Sequence, residues 1–130
     1  MARTNPCDSA VRNGRMAKAE QFADAAAVVQ EFANEATDIA DAYVTLCVHA
    51  GIAGADVICC AGLGEYSRGE NHSEAVKLLA TVDRKASKHL QVLLDMKTHA
   101  GYSHTPVSRS QVIRVGRAMD GLLQAAREAQ

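Results

Sequence analysis

A chain of 130 residues with a formal net charge of −1 is the size of one domain and can bury an apolar core without covalent staples. Its apolar fraction of 48% is reached with no Trp, three Tyr and two Phe, a balance that favours closely packed helices with small side chains over a β-sandwich. No stretch reaches the roughly 18 uncharged apolar residues of a membrane span, and the opening Met-Ala-Arg-Thr-Asn-Pro lacks an apolar leader core, so a cytoplasmic protein without a membrane segment is expected.

Residues 1–14 are polar, aperiodic and contain Asn13-Gly14, which reads as a frayed tail ahead of one bundle domain spanning 15–130. The first helix is expected from about Met16 to Phe32, with Ala19, Phe22, Ala26 and Val29 recurring at helical steps. A second and longest helix is expected from about Asn34 to Ala61. Its wheel carries Ile39, Tyr43, Leu46, Cys47, Ala50 and Val57 as a broad apolar surface, so it belongs at the centre. The run Ala50-Gly51-Ile52-Ala53-Gly54-Ala55 has little side-chain bulk and permits close helix approach, the return for two glycines that each cost about 1 kcal/mol relative to Ala.

Gly62, Gly64 and Gly69 punctuate the connection that follows. Asn71-His72-Ser73-Glu74 has N-cap and capping-box spacing and opens a short helix through Leu78, Leu79 and Val82. Asp83 caps a fourth helix with the inner stripe Ala86, Leu90, Leu93 and Lys97, ending just before Gly101, with Pro106 barring any continuation. Ser108 and Gln111 again have capping-box spacing, for a last helix bearing Val112, Val115, Met119 and Leu122. The fold class is therefore all-α, an antiparallel bundle of four to five helices.

The four cysteines, Cys7, Cys47, Cys59 and Cys60, include no C-x-x-C pair and no His at ligand spacing, and are expected to be reduced. Charge is unevenly spread. From Ala19 to Ser67 there are eight acids and no Lys or Arg, whereas beyond Ser67 the chain carries ten Lys and Arg against six acids. Opposed faces of this kind can steer self-association or meet a polyanion, and they can equally be solvated helix surfaces.

Glu-x-x-His pairs, a Gly-x-Ser-x-Gly elbow, a Walker loop and His-Glu-x-x-His are all missing, which disfavours di-iron, serine α/β-hydrolase, P-loop nucleotide-triphosphatase and zincin chemistry; no metal and no cofactor is expected. Polar residues in apolar surroundings remain. His49 and Asp56 lie two turns apart on one side of the second helix, near Thr45. Lys97 ends the apolar stripe of the fourth helix, His72 sits in a first helical turn, and Tyr102 follows the glycine at a helix end. Each has a plain structural alternative: a narrow solvent stripe, a snorkelling lysine at a helix C-terminus, a surface histidine, a plug for the bundle end. As a set they suggest a ligand groove in which Asp56 and Lys97 pair across a floor of Ala53 and Gly54, with His72 and Tyr102 nearby, because an isolated charge beside small apolar positions is costly.

The segment Ala42-Tyr-Val-Thr-Leu-Cys-Val-His-Ala-Gly-Ile-Ala-Gly-Ala-Asp56, followed by Gly-Glu-Asn-His72-Ser-Glu-Ala and then by Leu93-Leu-Asp-Met-Lys97 with Tyr102, resembles the HEPN superfamily, and most of all its short actinobacterial members. The resemblance runs from about Met16 to Arg127. It implies a four- or five-helix bundle that dimerises, and in many members a metal-independent ribonuclease whose Arg is followed four to six residues later by His. Here that place holds Lys97-Thr-His-Ala-Gly-Tyr102-Ser-His104, with Lys in place of Arg; Arg84 to His89 has the spacing but lies at the start of its helix. An Arg fork is not replaced neutrally by Lys. Two functions follow: a non-catalytic homodimeric module binding a small ligand, a nucleotide, RNA or a protein partner, or a ribonuclease with His72, His89 or His104 as general base and Lys97 or Arg84 on phosphate.

Overall fold

The small residues at the middle of the second of two equally long helices decide the architecture, because three other helices converge on it. The computed structural model describes residues 3–68 and 71–130; Gly69 lies outside the described residues. Among these the chain forms α1 (Ser9–Phe32), a 3-10 turn (Ala36–Ile39), α2 (Ala40–Leu63), α3 (His72–Ala80), α4 (Arg84–Tyr102) and α5 (Arg109–Ala129), with two short strands, β1 (Thr4–Pro6) and β2 (Glu65–Ser67). The fold is the expected all-α bundle, with a small ribbon added at one end.

Helix α2 packs against α1, α4 and α5 and is buried along nearly its whole length between Ala50 and Cys60. A Cβ placed on Gly51 would collide with Leu93 Cδ1 and lie 3.2 Å from Leu122 Cδ2, so this glycine lets α4 and α5 both close on α2. At Gly54 the nearest atoms, on Ala126 and Leu123, stand at 3.7 Å, an ordinary contact. The close approach therefore belongs to Gly51. Leu79, Leu90, Leu93, Leu122 and Leu123 fill the interior around it. The stretch Ala36–Leu63 is long and apolar enough to cross a membrane by length and composition alone, and 72% of its most apolar window is buried inside the bundle.

Three helix starts are as the spacing predicts. Asn71, Asp83 and Ser108 each accept a hydrogen bond from the backbone three residues on, at Glu74, Ala86 and Gln111, and the Gln111 side chain returns the bond to the Ser108 amide at 2.8 Å; such caps satisfy donors that the first helical turn leaves unpaired. Gly64 ends α2 at φ 70°, its amide donating to the Cys60 carbonyl, which is the left-handed cap that glycine supplies without a Cβ clash.

Other boundaries differ. Helix α2 begins at Ala40, not near Asn34, because the 3-10 turn intervenes. Helix α4 runs through Gly101 to Tyr102 and stops where Ser103 turns extended. The larger correction is the N-terminus: residues 4–14 are not a frayed tail. Asp8 caps α1 by accepting from the Val11 amide at 2.9 Å, and β1 pairs antiparallel with β2, Asn5 opposite Tyr66. Cys7 donates its amide to the Gly64 carbonyl at 2.9 Å, and Arg68 to Arg3 at 3.1 Å. Asn13-Gly14 does not break the helix, since nothing crowds Gly14 and an exposed helical glycine costs only about 1 kcal/mol.

The cysteines are corrected too. Cys7 and Cys60 form a disulfide, with Cα atoms 5.5 Å apart across 53 residues of sequence; Cys47 and Cys59 are free and buried. Successive helical residues point about 100° apart, so Cys60 reaches the N-terminal segment while its neighbour Cys59 faces the bundle.

Charge asymmetry is partly used inside the chain. Arg127 on α5 grips Glu20 on α1 through two contacts of 2.7 and 3.0 Å, and these hydrogen bonds hold the Glu20 carboxyl below its usual range. Asp41, at the start of α2, accepts from the Val107 amide at 2.9 Å, fastening the α4–α5 connection to the central helix.

Candidate functional site

Helices α1 and α4 both pack on α2 without extended contact with each other, which leaves a channel whose floor is α2. Thr45, His49, Ile52, Asp56 and Cys59 recur at steps of four and three, the spacing that keeps one face of a helix in line. At the end of this channel nearest the ribbon lies a cleft of about 290 Å³.

Its floor is apolar: Ile52, Ala55 and Cys59 from α2, with Leu90 and Leu94 from α4. Buried within it, Asp56 is met by Arg15 from α1, whose Nε donates at 2.9 Å and whose Nη2 lies at 2.8 Å. Both contacts fall on the same carboxylate oxygen, Oδ2. Burial outweighs the guanidinium's pull and raises the Asp56 carboxyl to about 6, since removing a carboxylate from water disfavours its charged form. Burial likewise pushes the Cys59 thiol up to about 12, with Asp56 adding to the effect, so Cys59 stays a thiol at neutral pH and is inert as a nucleophile.

The opposite side of the cleft comes from the ribbon and the start of α3. Asn5 from β1, Tyr66 and Ser67 from β2, then Arg68 and His72, complete the lining. His72 stands 3.5 Å from Lys97 Nζ through Nε2; an ammonium can only donate, so Nε2 is the acceptor in this contact.

The five candidate residues thus divide. Asp56 and His72 line the cleft. His49, Lys97 and Tyr102 line a second recess of about 80 Å³, farther along the channel with Thr45. His49 is exposed and stacks on Phe22, ring centroids 5.3 Å apart, and Tyr102 is 85% exposed and does not plug the bundle end. The expected Asp56–Lys97 pair is not formed: Asp56 takes Arg15, and Lys97 takes His72. The reason is the N-terminus. With residues up to 14 assigned to a tail, Arg15 stood at the edge of the domain, whereas α1 carries it a turn and a half inside a helix that lies along α2.

Arg15, Asn5, Tyr66 and Arg68 are the cleft residues that the sequence did not flag. One signal was present, an arginine four residues past the left-handed glycine that returns the chain over α2. Of the ribonuclease candidates, His89 lies between α4 and α5, where its Nε2 would stand 2.6 Å from a Cβ on Gly121, in a recess separate from the cleft. Among the described residues no group of three His, Cys, Asp or Glu is arranged to hold a metal ion.

No protein-family model matches this chain, and no curated protein matches it in sequence.

Proposed function

We propose that this chain is a HEPN-like, non-catalytic module that acts as a homodimer and holds a small ligand of the nucleotide class in the cleft between α1, α4 and the ribbon. The observation that carries this reading is the Asp56 carboxylate, anchored by Arg15 on Oδ2 alone above an apolar floor. Arg15 leaves the other oxygen, Oδ1, unengaged, which suits an N–H group of a flat heterocycle seated on Ile52 and Leu94. Arg68 at the rim has the fork geometry that favours a phosphate or carboxylate end. Pockets of this kind, mostly apolar with a few convergent polar groups, are what small-molecule sites look like.

Titration calorimetry with nucleoside monophosphates tests it. Binding of at least one, weakened roughly tenfold or more by Asp56→Asn, whose single amide oxygen stays with Arg15 and turns an NH2 towards the ligand's N–H, supports the reading; absence of binding across the panel sinks it. Sedimentation velocity tests the homodimer, and a monomer at every concentration would remove that part.

A second reading is favoured by one contact, His72 against Lys97 at 3.5 Å. An imidazole beside an ammonium is the arrangement a metal-independent ribonuclease uses for general base and phosphate stabilisation. Labelled RNA incubated with chelator distinguishes the two: cleavage abolished by His72→Ala supports the nuclease, and intact RNA supports the binding module.

A further inference from the structure

We infer that the Cys7–Cys60 disulfide is a redox latch on the cleft: closed, it fastens the β1–β2 ribbon as one wall of the site; reduced, it releases β1 and opens that wall. The inference concerns regulation of the site proposed above, but it stands on the ribbon's construction and needs no ligand.

Strand β1 is three residues long. It pairs with β2 over three positions, and the flanking amides of Cys7 and Arg68 add one hydrogen bond each. An isolated two-stranded ribbon of this length is marginal in water. Besides the chain leading into α1, a covalent bond fastens it to the bundle, from Cys7, one residue past β1, to Cys60 in the last turn of α2. Asn5 of β1 and Tyr66 of β2 are partners in the ladder and both line the cleft, so the strand that the bond secures is a wall of the site. Helix α1 has its own hold on α2 through Arg15 and Asp56, so loosening β1 leaves the bundle standing.

The chemistry is a two-electron exchange. A thiolate of a glutathione- or thioredoxin-type reductant attacks the sulfur of Cys7, the more exposed of the two half-cystines. The S–S bond breaks and Cys60 leaves as a thiolate that takes up a proton. A second reductant thiolate attacks the mixed disulfide, expelling Cys7 sulfur, which is protonated in turn; the reductant ends as a disulfide. Neighbouring Cys59 does not intercept the exchange, since it is buried and burial disfavours its thiolate. In the reducing cytoplasm that the sequence suggests, disulfides are rare and those that form are typically transient sensors, so the latch stands open there and closes on oxidation.

Cys59 on the cleft floor reports on the wall, and Cys47, buried away from the cleft, reports on the whole fold. Alkylation of both by iodoacetamide is followed by peptide mass spectrometry in the oxidised full-length protein and in Cys7→Ser/Cys60→Ser. Faster labelling of Cys59 by about tenfold or more, with Cys47 unchanged, is expected for a local opening. Equal rates in the two proteins overturn the latch, and so does parallel acceleration of Cys47 and Cys59, which would mean the bond stabilises the bundle as a whole. Neither outcome depends on nucleotide binding, so failure of the ligand reading and failure of the latch are told apart.

Discussion

Arg15 and Asp56, 41 residues apart, meet through two contacts under 3 Å that converge on one carboxylate oxygen. The pair ties α1 to the central helix and sets the polarity of the cleft. It also sets a pH dependence. The Asp56 carboxyl titrates at about 6 in the folded chain, against 3.8 for the free side chain, so between these values the folded state binds the extra proton. Stability is then greatest below about pH 4 as far as this group is concerned, and falls as pH rises through the window to about 6, levelling off above it. The difference corresponds to about 3 kcal/mol. Urea denaturation of wild type and Asp56→Asn at pH 4, 5, 6 and 7.5 should show the gap moving in favour of Asn with rising pH. A gap independent of pH would show that Asp56 does not carry the effect.

Gly51 and Gly54 differ in what surrounds them, and their variants should differ in sign. Gly51→Ala drives a methyl into Leu93 and is expected to cost about 1–3 kcal/mol, the range for overpacking. Gly54→Ala meets only ordinary contacts and should gain up to about 1 kcal/mol from helix propensity. Equal effects in thermal melts would mean that backbone propensity alone is being measured.

Asp8 caps α1 through the Val11 amide. Asp8→Ala should therefore destabilise by about 1 kcal/mol, whereas Asp8→Asn, which keeps the accepting oxygen, should not. If the first fourteen residues were an unstructured tail, both variants would melt with wild type.

Gly116 lies under Tyr43, whose hydroxyl would stand 2.7 Å from an added Cβ. Gly116→Ala is expected to lower stability by about 1–2 kcal/mol, and Tyr43→Phe in the same chain should recover part of it by removing the clashing oxygen. Additive effects in the double variant would place the two residues out of contact.

Helix type and order were legible in the sequence because the apolar steps of three and four persist for many turns, and because Asn71, Asp83 and Ser108 sit where caps belong. The central place of α2 could be read from its breadth of small apolar residues. The site was legible by halves. Asp56 and His72 stood out as polar residues in apolar surroundings, and the cleft joins them. Their partners did not, since a partner is a property of tertiary approach. Arg15 lay beside a stretch whose Asn-Gly outweighed its helical neighbours in local terms. Once Asp8 caps the helix and Cys7 is held by Cys60, that stretch has a reason to be helical that no window of local sequence contains.

The same bond changes the connectivity of the chain. From Cys7 to Cys60 the backbone is a closed ring that contains all of α1 and most of α2. A single proteolytic cut anywhere within it leaves one covalent molecule, and two pieces separate only after reduction. A machine that unfolds the oxidised protein by threading it from either end meets this ring before it can pass through, and must admit several strands side by side or stop.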